Sequence, residues 1–104
     1  ITNNSPSEII NAIHPTSAVG GSPREKALSI IKREESYNRS FYSGYLGKIN
    51  DLNCKLFVNL RCAHFKKNKA KIFVGGGITE DSEAEKEWEE IINKSQTILE
   101  ALCD

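Results

Sequence analysis

The chain has 104 residues, with 14 basic and 14 acidic side chains and no formal net charge. At 38% hydrophobic and 27% charged residues it has the balance of a globular sequence, neither too polar to collapse nor apolar enough for lipid. Its size suits one domain or part of one, its even charge argues against a general nucleic-acid binder, and no apolar run approaches the roughly 20 residues of a membrane span.

Ser5-Pro6-Ser7-Glu8 followed by Ile9, Ile10 and Ile13 predicts a short helix. Ser5 caps it, Pro6 lies in its first turn and Pro15 stops it. Small residues, Thr16-Ser17-Ala18-Val19-Gly20-Gly21, join it to a second predicted helix. There Ser22 is the expected N-cap, Pro23 the first residue and Glu25 the capping-box partner. Ala27, Leu28, Ile30 and Ile31 form its apolar face, which leaves Arg24, Lys26, Lys32 and Arg33 to solvent.

Phe41 to Ile49 reads as a strand whose glycines permit close backbone approach. Asn50-Asp51-Leu52-Asn53 supplies turn chemistry. From Cys54 to Phe65 the residues alternate, with Leu56, Val58, Leu60 and Cys62 on one face and Phe57, Asn59, Arg61 and Ala63 on the other. Lys66-Lys67-Asn68-Lys69 is a basic turn before a third strand, Lys71 to Val74, and the three strands predict an antiparallel meander. Gly75-Gly76-Gly77 ends that strand. A long helix follows, with Ser82 as its cap and Glu85 at the capping-box position. Trp88, Ile91, Ile92, Ile98, Leu99 and Leu102 fall on one apolar arc of that helix. The fold class expected is α+β, an antiparallel strand meander flanked by helices in a single partial domain spanning 1–104.

Cys54, Cys62 and Cys103 are odd in number and lack CxxC spacing, which points to reduced thiols and a cytoplasmic protein. His14 and His64 stand far apart and read as structural rather than zinc-binding. The chain opens Ile1-Thr2-Asn3, contains no Met and lacks a signal-peptide pattern, so a piece of a longer chain is expected.

Three features could carry chemistry. Arg61 lies within the best-patterned predicted strand. Its face is either solvated or lines a pocket where a guanidinium grips a carboxylate bidentately. The three glycines either serve turn geometry or leave backbone amides free for an anion, and they match neither the P-loop nor GxGxxG. The acidic segment from Glu80 to Glu90 suits a helix N-terminus. Within it Glu87, Glu90 and Lys94 share an arc bordering the apolar stripe, whereas Glu85 and Glu89 point elsewhere. Glu87 and Glu90, at i and i+3, can hold Mg²⁺, and an ion pair between Glu90 and Lys94 is the competing explanation. Together the three features fit a small, multiply anionic ligand held by an Arg, backbone amides and a metal.

The residues also carry a resemblance. His14-Pro15-Thr16-Ser17-Ala18-Val19-Gly20-Gly21-Ser22-Pro23 resembles the HPTPAVGG-x-P signature of isochorismate synthases. Arg39-Ser40-Phe41-Tyr42-Ser43-Gly44 is similar to that family's RGxYxG, and Val58-Asn59-Leu60-Arg61 to its VxIR strand. Gly75-Gly76-Gly77-Ile78 resembles its GAGI turn, and Glu85 to Lys94 its PExEWEE…K helix. The blocks occur in order over nearly the whole chain, which is identified as a member of the chorismate-utilising enzymes. The departures are Gly76 for Ala, Ser40 for Gly and Ala84 for Pro.

This resemblance implies that the chain is a C-terminal fragment of the larger two-sheet chorismate-utilising fold, with the rest of the enzyme N-terminal to it. It implies that Tyr42, Arg61 and the backbone at Gly75 and Gly77 hold the enolpyruvyl carboxylate of chorismate, with Lys94 nearby. Glu90, assisted by Glu87 through water, would bind the Mg²⁺ that neutralises the ring carboxylate. The general base Lys and general acid Glu belong to family segments upstream, so no catalytic residue is expected in this chain and it is expected to be inactive alone. Ala18 is apolar where anthranilate, aminodeoxychorismate and salicylate synthases tend to carry Thr or Ser, which favours isochorismate formation. Those three activities, or a non-catalytic chorismate-binding module, are the alternatives. The downstream route (menaquinone, a siderophore or salicylate) is left open.

Overall fold

Ser5 begins the first helix as its sequence predicts. Its hydroxyl accepts from the Glu8 amide at 3.4 Å, and its own amide donates to Glu8 Oε2 at 2.7 Å. Two donors that a helix start leaves without intrahelical partners are thereby satisfied. This helix, α1, runs Pro6–Ile13 and buries Ile10. The computed structural model describes residues 3–50 and 53–103, and the chain divides into two compact units, Ile1–Val58 and Asn59–Asp104.

In the first unit the small-residue connection is not wholly irregular. Ser17–Gly20 forms one helical turn, α2, closed by the Gly20 amide on the Thr16 carbonyl at 2.8 Å. The next helix, α3, spans Arg24–Glu34 and starts later than predicted. Pro23 is extended, with ψ 141°, and its carbonyl accepts from the Ala27 amide, so Pro23 takes the N-cap position. Ser22 then lies one residue too far out to cap. Arg24 is exposed, as expected, and also reaches back to the end of α1. Its Nη1 donates to the Ala12 carbonyl at 2.8 Å and its Nη2 to the His14 carbonyl at 2.5 Å. Those are carbonyls that the helix end leaves open.

The predicted strand from Phe41 is shorter in the structure. Residues 39–44 form a tight turn, and only Tyr45–Ile49 is strand β1. It pairs antiparallel with β2, Cys54–Val58, in the register Tyr45↔Val58 to Ile49↔Cys54. The Asn50 amide donates to the Asn53 carbonyl at 2.9 Å, and the Asn53 amide to Asn50 Oδ1 at 2.7 Å. Asp51 and Leu52 of the predicted turn lie outside the described residues. Gly47 faces Leu56 across the ladder, where a Cβ would come 1.9 Å from the Lys55 carbonyl oxygen. The expectation of close backbone approach holds at this glycine.

In the second unit β3, Cys62–Lys66, pairs antiparallel with β4, Lys69–Phe73. Lys67 and Asn68 make the turn, with Lys67 at φ 54°. The long predicted strand is therefore two strands, interrupted at residues 59–61, and Arg61 lies in the bend rather than on a strand face. Each half finds its ladder partner locally, so the described residues form two separate two-stranded sheets and no single meander. Alternation marks a face, and it continues through a break that changes the partner. The class is α+β, two antiparallel strand pairs flanked by helices.

The last helix, α4, is Ala84–Cys103. Ser82 does not cap it. Its hydroxyl accepts from the Thr79 amide at 2.9 Å, and its amide donates to the Thr79 carbonyl at 3.1 Å, which closes a turn before the helix. Ile91 and Ile98 are half-buried within their unit and Phe73 of β4 is buried, while Trp88, Ile92, Leu99 and Leu102 of the predicted apolar arc are exposed.

Candidate ligand site

The predicted site residues fall in both units. Within the second, α4 presents Glu87, Glu90 and Lys94 on successive turns of one face, as residues three and four apart must lie. Lys94 Nζ donates to the Gly75 carbonyl at 3.2 Å and forms an ion pair with Glu90 Oε1. The ion pair expected as the competing explanation for Glu90 and Lys94 is thus present. Glu87 is half-buried, with its Oε2 3.5 Å from the position a Cβ on Gly76 would occupy. Its neighbours form an open groove of about 350 Å³ lined by Gly76, Ile78, Ser82, Trp88 and Ile91.

The structure therefore brings Gly75, Glu87, Glu90 and Lys94 together. Gly77 follows on the same run, with open space at its Cβ position to 4 Å. Arg61 is exposed, and no hydrogen bond or ion pair joins it to this cluster among the described residues. No group of three His, Cys, Asp or Glu among the described residues could cage a metal. Two carboxylates on one helix face instead fit an ion such as Mg²⁺, which commonly takes one or two protein carboxylates and completes its shell with water and substrate oxygens. The groups bordering Gly75 thus have the chemistry of a site for an anion accompanied by a hard cation.

Within the first unit Tyr42 is buried and Ala18 is exposed on α2. The Tyr42 amide donates to the Arg39 carbonyl at 2.9 Å, and Ser40 and Ser43 take φ of 54° and 61°, a region costly for residues other than glycine. Arg39 holds this turn. Its Nε and Nη2 bind the two Glu35 oxygens at 2.7 and 2.5 Å, and its Nη1 donates to Ser43 Oγ at 3.1 Å and the Val19 carbonyl at 3.3 Å. The guanidinium carbon lies 5.7 Å from the Tyr42 ring centroid. Hydrogen bonding to Arg39 lowers the Glu35 pKa, and the same bond raises that of Arg39. A pocket of about 300 Å³ opens here, lined by His14, Pro15, Gly20, Arg39 and Tyr42 among others.

Sequence reasoning assigned Arg39 and Glu35 no role. A Glu and an Arg four residues apart gave the signal, but Glu35 is the C-cap of α3 and Arg39 lies in the turn beyond. A helix-surface rule gives no reason to pair them.

The second unit by itself sets two carboxylates and a lysine beside a glycine run, an arrangement of the class that suits a small anion. The comparisons with known proteins give that class a family. The chorismate binding enzyme family matches residues 2–103. Isochorismate synthase MenF of Haemophilus influenzae is 33% identical over 96 residues, covering 92% of this chain and 22% of that protein. For isochorismate synthase MenF of Bacillus subtilis the identity is 38% over 96 residues, covering 91% and 20%. Anthranilate synthase component 1 of Aquifex aeolicus is 32% identical over 96 residues, covering 91% and 19%. No solved structure matches the chain. The chain belongs to the chorismate binding enzyme family, and it spans about a fifth of the length of these curated relatives.

Proposed function

We propose that the chain is a ligand-holding part of a Mg²⁺-dependent isochorismate synthase acting in the cytoplasm. The observation that carries this reading is the cluster of Gly75, Glu87, Glu90 and Lys94, which supplies paired carboxylates beside an ammonium and a glycine turn. Isochorismate synthases among the relatives favour it over the anthranilate reading, as does the apolar Ala18. In the proposed reaction water adds at C2 of chorismate while the C4 hydroxyl leaves and the ring double bonds shift. A base takes the proton from that water and an acid returns one to the departing hydroxyl, so the net change is an isomerisation. Neither group is assigned to this chain. Its residues bind and orient: Tyr42, Arg61 and the backbone at Gly75 and Gly77 take the enolpyruvyl carboxylate. Glu87 and Glu90 would hold Mg²⁺, which neutralises the ring carboxylate when bound.

Three free thiols among the described residues agree with a reducing compartment, and no helix among them is long and apolar enough to cross a membrane. The isochorismate formed would serve menaquinone or siderophore synthesis. The test is calorimetric titration of the chain with chorismate, with and without Mg²⁺, followed by chromatography of the mixture. Binding that needs Mg²⁺, weakens in Glu90→Gln and Arg61→Ala, and yields no isochorismate is the expected result. Affinity unchanged by either substitution would abandon the site, and turnover by the chain alone would refute its purely ligand-holding role.

A further inference from the structure

We infer that Arg39 is a positioning residue for Tyr42, fixing the phenol that the proposed function sets against the substrate carboxylate. The inference rests on that function for the ligand and on geometry for the rest. A six-residue turn whose Ser40 and Ser43 both take positive φ would relax if nothing opposed it. Arg39 opposes it from four directions. Its fork grips Glu35 at the end of α3, its remaining nitrogen binds the Val19 carbonyl and the Ser43 hydroxyl, and its flat face lies by the Tyr42 ring.

The side chains of Arg39 and Glu35 are each only about a quarter exposed, at 25% and 24%. That burial limits competition from water and salt, which weaken ion pairs at the surface. The Val19 bond also ties the turn to α2, next to Ala18. A guanidinium can make this planar, several-partnered set of bonds, and an ammonium cannot reproduce it. Tyr42 orientation is thus set by a residue that need never touch the ligand.

The experiment compares the unsubstituted chain with Arg39→Lys and Glu35→Gln, labelled with ¹³C at tyrosine and phenylalanine rings so that Phe65 and Phe73 report the β3–β4 hairpin. It records Tyr42 ring resonances, thermal midpoint and calorimetric chorismate affinity with Mg²⁺. Arg39→Lys should displace or broaden the Tyr42 resonances, leave those of the β3–β4 hairpin in place and weaken chorismate about tenfold or more. Glu35→Gln, which keeps the shape and loses the charge, should do the same to a smaller degree and stands in should Arg39→Lys not fold. Unmoved Tyr42 resonances overturn the inference. So does a lowered midpoint with unchanged affinity, since that is a structural role only. If the unsubstituted chain takes up no chorismate, the site reading fails, and the Tyr42 resonances alone decide whether Arg39 holds the ring.

Discussion

The two units solve the same problem with different cations. In the first, Arg24 and Arg39 each bridge separate segments by binding backbone carbonyls, and Arg39 adds a carboxylate and a hydroxyl. In the second, one ammonium, Lys94, spans the Gly75 carbonyl and Glu90. A guanidinium fork fixes direction, whereas an ammonium is a rotatable point charge that exchanges partners readily. The first unit is therefore fastened in a set geometry, while the ammonium that holds the polar cluster of the second keeps its rotational freedom.

The largest expected effect breaks the first unit alone. Gly47→Ala forces a Cβ against the Lys55 carbonyl, 1.9 Å away before any adjustment, and should cost about 3 kcal/mol or prevent β1 from pairing. Urea unfolding with amide exchange should show the ladder from Tyr45 to Val58 lost while that from Cys62 to Phe73 persists. Arg24→Ala is milder. It leaves the Ala12 and His14 carbonyls to water and should cost about 1 kcal/mol, read as a lower urea midpoint.

Acid separates the two kinds of fastening. Glu35 has a folded-state pKa below its ordinary 4.5, so its pair with Arg39 contributes fully above that value. The contribution fades as pH falls from about 4.5 through the lower folded value, because the unfolded chain then binds more protons than the folded one. Exchange protection of the Tyr42 amide should accordingly be flat from neutrality to the ordinary carboxylate value and fall below it. In Glu35→Gln that fall should disappear.

The smallest effect goes the other way. Gly76→Ala places a methyl at ordinary contact distance, 3.5 Å from Glu87 Oε2 and 3.7 Å from Ile91 Cδ1, and Gly76 has no positive φ to forbid it. A gain of about 0.5 kcal/mol is expected from a stiffer unfolded chain, checked by a higher thermal midpoint.

Local chemistry was the legible part of the sequence. Ser5, Pro6 and Glu8 specify the start of α1 within four residues, and the i, i+3, i+4 spacing places Glu87, Glu90 and Lys94 on one face whatever surrounds them. Choices between neighbouring caps were not legible. Ser22 and Ser82 have the right chemistry, but the extended Pro23 and the Thr79–Ser82 turn shift each helix start. Nor was the break at residues 59–61, because alternation says which face a residue occupies and not which strand it pairs with. The Arg39 clamp was hidden for a related reason. Its partners Val19 and Glu35 come from separate elements, and only the folded turn brings them within reach.

The two hairpins also differ in how they meet other polypeptide. The second bears Lys66, Lys69 and Lys71 on its strands and Lys67 in its turn, and charge of one sign along an edge discourages strand addition. The first offers Leu46, Ile49 and Phe57, all more than half exposed, with Lys48 and Lys55 placed directly opposite each other at one rung. Although Phe65 is exposed on the second ribbon too, the lysines beside it guard that edge, so the β1–β2 ribbon is where added charge should do most against strand addition.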